Sequence, residues 1–180
     1  GGFGTQFYFH EHPNPVVEAV ADLRADRRAA LQKTYSCDKV YNSLTELLKD
    51  RQVEAVGLFT PAPDHARHVL EVLAAGKHVM SAVPAAMSME ECGRIIDAVK
   101  KSGLTYVMAE TSYYQQLTIS ARKFQHEGAF GRIYACESEY HHAGLESLFF
   151  HRGERTWRHG FPPMHYPTHC TAHLLSITGE

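Results

Sequence analysis

The sequence predicts an α/β chain: a doubly wound parallel sheet with helices on both faces, followed by the beginning of an α+β segment. Three observations carry that expectation. Short apolar strands alternate with helices from about residue 16 to residue 109, the pattern of a parallel sheet buried on both sides. Two capping boxes, Ser43-Leu44-Thr45-Glu46 and Ser88-Met89-Glu90-Glu91, mark helix starts inside that stretch. After about Tyr113 the alternation stops, and Gly, Pro, Arg and aromatic residues become frequent.

Taken in order, residues 5–12 read as a short helix stopped by Pro13-Asn14-Pro15. Residues 16–22 are a buried strand with Asp22 at its end, and residues 25–35 are a basic, Ala-rich helix. A helix starts at Ser43, and residues 53–60 form the next strand, broken by Pro61-Ala62-Pro63. Asp64 is the expected cap of a helix running to Gly76, a C′ glycine. Residues 78–82 are a strand closed by Pro84, the Ser88 helix ends near Gly103, and residues 104–109 are the last strand of the series. Residues 115–127 read as a helix. Residues 132–142 alternate as a half-exposed strand would, 143–163 as loop, and 165–178 as helix again, ended by Gly179. The expected boundary lies near Tyr113, with one domain over 1–112 and the start of a second over 113–180.

A formal charge of −2 in 180 residues gives no reason to expect nucleic acid or an anionic membrane as partner. No apolar run is long enough to span a bilayer. The four cysteines are scattered without a C-x-x-C pair, which reads as reduced thiols and a cytoplasmic setting. Of 13 histidines, five fall between His151 and His173, which directs the search for chemistry there.

Gly1-x-x-Gly4 fits the last two glycines of G-x-G-x-x-G, the fingerprint of a Rossmann-type dinucleotide site. The first glycine and the strand before it would then lie upstream, so a fragment lacking its first strand and most of its second domain is expected. Gly1, Gly2, Phe3 and Gly4 would approach the pyrophosphate at a helix N-terminus. Asp22 ends the next strand at about the fingerprint's spacing, where a carboxylate accepts hydrogen bonds from ribose hydroxyls and repels a 2′-phosphate. NAD is therefore expected over NADP. Arg24, with Arg27 and Arg28, either lies on a solvated helix face or could hold a 2′-phosphate.

With these segments in view, the chain resembles the glucose–fructose oxidoreductase/inositol dehydrogenase (Gfo/Idh/MocA) family. The resemblance rests on Gly1-Gly2-Phe3-Gly4, Val17-Glu18-Ala19-Val20-Ala21-Asp22 and Val53-Glu54-Ala55-Val56-Gly57-Leu58-Phe59-Thr60-Pro61 with His65. It continues through Ala75-Gly76-Lys77-His78-Val79, Pro84 and Gly128-Ala129-Phe130-Gly131-Arg132-Ile133. It implies that Thr60, Pro61 and His65 line the nicotinamide half of the cofactor site, with Ala82 and Pro84 in the next turn. The family usually reads Glu-Lys-Pro at that turn. Here Ala82 stands for the glutamate and Val83 for the lysine, so the family's cationic donor is absent while Pro84 is kept.

The family's Asp-x-Gly-x-His pattern maps to His165, Pro167 and His169, with His173 one turn on. His165 and His169 at i and i+4 would share a helix face. His169 is the expected base for a hydroxyl proton and His165 its partner or substitute. The same spacing suits a metal, with Glu137, Glu139, His141, His142 and His159 nearby, but two ligands on a helix do not make a site, so none is expected. Tyr113, Tyr114, Trp157, Arg158 and His159 are candidate substrate residues, through stacking and carboxylate contacts. They equally suit a packed boundary and an ordinary surface loop.

The resemblance implies an NAD(P)-dependent oxidoreductase acting on a sugar, polyol or related hydroxylated small molecule, and a homo-oligomeric parent protein. Two alternatives stay open. One is a lyase or glycosidase that recycles its NAD. The other is a non-catalytic cofactor-binding protein, motivated by Val83.

Overall fold

The computed structural model describes residues 2–179, with side chains from residue 4 onward. Gly1 lies outside the described residues, and of the expected glycine cluster only Gly4 can be placed in detail. The chain forms two compact units, Gly1–Met108 and Ala109–Glu180.

The first unit contains β1 (Ala19–Ala21), α1 (Ala25–Tyr35), β2 (Lys39–Tyr41), α2 (Leu44–Leu47), β3 (Ala55–Leu58), α3 (His65–Ala74), β4 (His78–Ser81), α4 (Met89–Ser102) and β5 (Tyr106–Met108). β1 pairs parallel with β2, and β3, β4 and β5 form a parallel three-stranded ladder in that order. Instead of one continuous sheet, the strands thus form two ladders. In a dinucleotide-binding sheet of order 3-2-1-4-5-6 they match 3-2 and 4-5-6, and no described residue forms the strand that would join them. The core of Val53, Val56, Leu58, Val69, Val72, Leu73, Val79 and Ile95 lies where α3 and α4 cover β3 and β4.

Both capping boxes form. Ser43 Oγ accepts from the Glu46 N–H at 3.2 Å and Ser88 Oγ from the Glu91 N–H at 3.1 Å. The reciprocal carboxylates reach one residue further back, to Asn42 N and Met87 N. α3 ends in a Schellman motif at Gly76, whose φ of 75° suits glycine. Gly76 N donates to Leu73 O and Lys77 N to Val72 O.

Several expectations are corrected. Residues 5–12 form no α-helix; instead there are 3₁₀ turns at Gly2–Gln6 and Phe9–Glu11. Asp64 does not cap α3, because its carboxylate is taken by Arg67 at 2.7 Å. β2 was not anticipated: three residues of mixed polarity carry too little periodicity to read. Residues 132–142 form no ladder, since alternation specifies a face but not a pairing partner.

The second unit contains α5 (Gln116–His126), α6 (Leu145–Phe149), the antiparallel pair β6 (Phe150–His151) and β7 (Glu154–Arg155), and α7 (Thr168–Thr178). Thus the expected loop over 143–163 holds a short helix and a hairpin. Its turn residues Arg152 and Gly153 both have positive φ, the conformation that a two-residue hairpin favours. α7 starts at Thr168, not at His165. Pro167 disfavours helical geometry at Tyr166, whose φ is −132°, and His165 falls in a separate 3₁₀ turn, Pro163–His165. The shared helix face for His165 and His169 is therefore not formed.

Candidate functional site

In the first unit, the C-terminal ends of parallel strands carry the residues expected to hold a dinucleotide, as open α/β sheets place their ligands. Gly4 sits under the Phe59 ring: a Cβ there would lie 3.2 Å from Phe59 Cδ2 and 3.7 Å from Leu31 Cδ2. The single proton of the Tyr35 hydroxyl is shared between the Gly4 carbonyl and Phe7 O, the latter at 2.9 Å. Close approach of backbone to the next strand end is what a glycine supplies here.

At the end of β1, Asp22 Oδ1 accepts from Arg24 N at 2.9 Å. Arg28 ties the same turn from below, donating to Asp22 O at 2.8 Å and Leu23 O at 3.0 Å. Past β3, Thr60 Oγ1 lies 3.0 Å from His68 Nδ1. Burial, then the Arg67 charge, pushes His68 below the usual histidine range, so a neutral ring meets the threonine hydroxyl.

His65 is 1 % exposed and bridges two turns. Its Nε2 lies 2.7 Å from Thr60 O and its Nδ1 2.6 Å from Pro84 O. With both ring nitrogens occupied, the expected cofactor ligand acts in this structure as a tie between the turn after β3 and the turn after β4. Ala82 continues the β4 edge, its N–H donating to Leu58 O at 2.9 Å, and Pro61 is exposed. These residues fit a dinucleotide: a glycine packed too closely on the neighbouring strand end for a side chain, a carboxylate after β1, and a hydroxyl after β3.

The second unit centres on His169, which the sequence singled out, and Glu110, which it did not. Both are nearly fully buried. His169 Nδ1 lies 2.6 Å from Glu110 Oε1 and its Nε2 3.0 Å from the Tyr166 hydroxyl. Ser112 supports the pair. Its N–H donates to Glu110 Oε1 at 2.8 Å and its hydroxyl lies 3.3 Å from His169 Nδ1. The Tyr140 ring lies over His169 at 4.4 Å between centroids.

Burial works against ionising Glu110, but His169 and the Ser112 N–H together hold its carboxyl below the ordinary glutamate range. An ionised Glu110 accepts only, so Nδ1 carries the proton and Nε2 faces the phenol. Burial and Tyr140 push the Tyr166 phenol up, with Arg158 opposing, so it stays a neutral donor. Glu110 Oε2 is buried with no hydrogen-bond partner among the described residues.

The structure does not bring His165 to His169. His165 is exposed and stands edge-on to Phe161 at 5.6 Å. His173 packs instead, its Nδ1 3.0 Å from Thr118 Oγ1. The Arg122 guanidinium lies 3.9 Å over the Tyr113 ring, and Tyr114 is exposed beside it. Arg158 covers the Trp157 ring at 4.4 Å, and His159 stands edge-on to Phe150 at 5.1 Å. Among the described residues no group of three or more His, Cys, Asp or Glu side chains is placed to hold a metal, and no helix is long and apolar enough to cross a membrane.

Residues 1–110 match the family model described as an oxidoreductase family with an NAD-binding Rossmann fold. The chain belongs to the Gfo/Idh/MocA family. Gfo/Idh/MocA relatives include a levoglucosan dehydrogenase of Pseudarthrobacter phenanthrenivorans, 25 % identical over 134 residues, which cover 74 % of this chain and 34 % of the relative. A glycosyl hydrolase family 109 protein of Saccharopolyspora erythraea is 28 % identical over 173 residues, covering 87 % of this chain and 37 % of the relative. Among solved structures, scyllo-inositol dehydrogenase of Lactobacillus casei with bound NAD(H) and scyllo-inositol shares the fold with a TM-score of 0.61 at 18 % identity, over 65 % of this chain and 35 % of that one. The chain spans about a third of the length of these relatives.

The signal that could have found Glu110 was weak. It directly follows the last strand of the parallel series, the position at which Thr60 and Asp22 were chosen, but its partner lies 59 residues away. His68 is one helical turn from His65 and was legible on the same ground.

Proposed function

We propose that the full-length protein is an NAD-dependent enzyme that oxidises a hydroxyl of a sugar, polyol or related compound. The observation that carries this reading is the buried Glu110–His169–Tyr166 chain of hydrogen bonds. A bound nicotinamide supplies an acceptor for the hydride of the carbinol carbon. Gly4, Asp22 and Thr60 would hold the dinucleotide, with His65 and Pro84 fixing the turns around it.

The proton is the task of the second unit. Within that unit, Tyr166 can take a proton from a hydroxyl as its own passes to His169 Nε2, and the resulting imidazolium is held by the Glu110 carboxylate at Nδ1. Glu110 remains ionised throughout, which its depressed pKa favours. A positioned acid–base group of this kind contributes about 10²–10⁴-fold. This arrangement needs neither the lysine replaced by Val83 nor His165. Asp22 supports NAD over NADP, because its carboxylate suits ribose hydroxyls and repels a 2′-phosphate.

A second reading is a glycosidase that uses the same oxidation transiently and returns the hydride, with no net redox change. Two observations favour it: the long match to a glycosyl hydrolase family 109 protein, and Val83 at the lysine position.

The test incubates the full-length protein with NAD+ and a panel of free sugars, polyols and nitrophenyl glycosides, following NADH and nitrophenol. NADH accumulating in proportion to substrate supports the dehydrogenase. Nitrophenol released without NADH supports the recycling glycosidase. Cofactor binding with neither product overturns both and leaves a non-catalytic binding protein.

A further inference from the structure

The turn after β1 holds an arginine whose charge is already spoken for. Arg24 precedes α1, and Asp26 lies in the first turn of that helix. Arg24 Nε donates to Asp26 Oδ1 at 3.0 Å and Nη2 to Asp26 Oδ2 at 2.6 Å, a fork-to-fork pair. The rest of the turn is fixed independently, by Asp22 on the Arg24 N–H and by Arg28 on two carbonyls.

The fork that Arg24 offers Asp26 is the one a phosphate monoester would use. A 2′-phosphate on the adenosine ribose must therefore displace Asp26 before it can gain Arg24. It must also enter beside two carboxylates, Asp22 and Asp26. NAD makes no such demand, since its ribose presents hydroxyls that Asp22 can accept from. The pair is exposed on both sides, with 52 % and 63 % of the side chains accessible, so it competes without being locked.

We propose that Asp26 is a cofactor-specificity residue: it occupies the Arg24 guanidinium and thereby biases the site against NADP. The inference rests on the dinucleotide reading of the first unit. It also turns Arg24, which taken alone favours NADP, into a latent phosphate ligand.

The experiment measures binding of NAD+ and NADP+ to the full-length protein, to Asp26→Ala, to Arg24→Ala and to the double variant, at low and high salt. Alanine at position 26 keeps a good helix former in the first turn. Asp26→Ala should tighten NADP+ by about two- to fivefold while NAD+ changes less than about twofold. The gain should shrink at high salt, where charges screen, and should vanish in the double variant. NAD+ binding with NADP+ affinity unmoved by Asp26→Ala, or a gain that survives loss of Arg24, overturns the inference alone. Failure of the wild-type protein to bind either dinucleotide overturns the cofactor reading and this inference together.

Discussion

Glu110 fixes the tautomer of His169, and that dependence makes it the most informative single residue to change. Glu110→Gln keeps the shape but removes the charge that stabilises the imidazolium. The expected result is a fall in kcat of about 10²–10⁴-fold with a much smaller change in KM, measured by steady-state kinetics. A stability signature follows from the same contact. The folded-state pKa of Glu110 is depressed, so its contribution is complete above the unfolded carboxylate range and is lost as pH falls through the folded value. Wild-type stability should therefore drop on acidification through and below the ordinary glutamate range, and Glu110→Gln should flatten that drop. Equal pH slopes for the two proteins would show that Glu110 is not held ionised by folding. His65 is the residue-scale counterpart in the first unit. His65→Ala removes the ring that ties the Thr60 and Pro84 carbonyls and the hydrogen bond its N–H makes there, and should cost about 1–3 kcal/mol in thermal or denaturant unfolding. His169 was legible because the family's Asp-x-Gly-x-His pattern maps onto it within a run of histidines. Glu110 was not, because a partner 59 residues away leaves no local pattern.

Among the elements, the parts written in short-range chemistry were the parts that could be read. α1 runs Ala25–Tyr35 as its composition indicates, both capping serines accept where expected, and Gly76 closes α3. Where an element depends on a distant neighbour, the reading failed: residues 132–142 alternate without pairing, and β2 gains its strand geometry from β1 alone. The Gly76-Lys77 segment shows how an element boundary is also tied tertiarily. Lys77 follows the Schellman turn, is 6 % exposed, and donates from Nζ to Asp50 O and Val53 O, each at 2.7 Å. It thus pins the approach to β3 against the start of β4. Lys77→Met keeps the apolar stem but abandons both carbonyls, and should lower stability by about 1–3 kcal/mol. Equilibrium denaturation checks this, and an unchanged midpoint would mean that water replaces the ammonium at both carbonyls.

Over the whole molecule, burial is divided unevenly between the two units. The apolar core lies in the first unit, around β3, β4, α3 and α4. In the second unit Ala172 is the single buried apolar side chain among the described residues, beside Glu110, Ser112, Thr118, His169 and Ser176. A polar network is directional and sensitive to the loss of any member, whereas apolar burial is cumulative. The second unit should therefore open more readily than the first. Amide hydrogen exchange on this chain tests the point. Protected amides of α7 and α5 should exchange at least about tenfold faster than those of α3 and β4. Glu110→Gln should speed exchange in α7 further while leaving α3 unchanged, because its contacts to Ser112 and His169 all lie within the second unit. Equal protection of α7 and α3 would mean that the Glu110–His169–Tyr166 network stabilises its unit as strongly as the apolar core stabilises the other. Its buried polar groups would then have to be read as structural before catalytic.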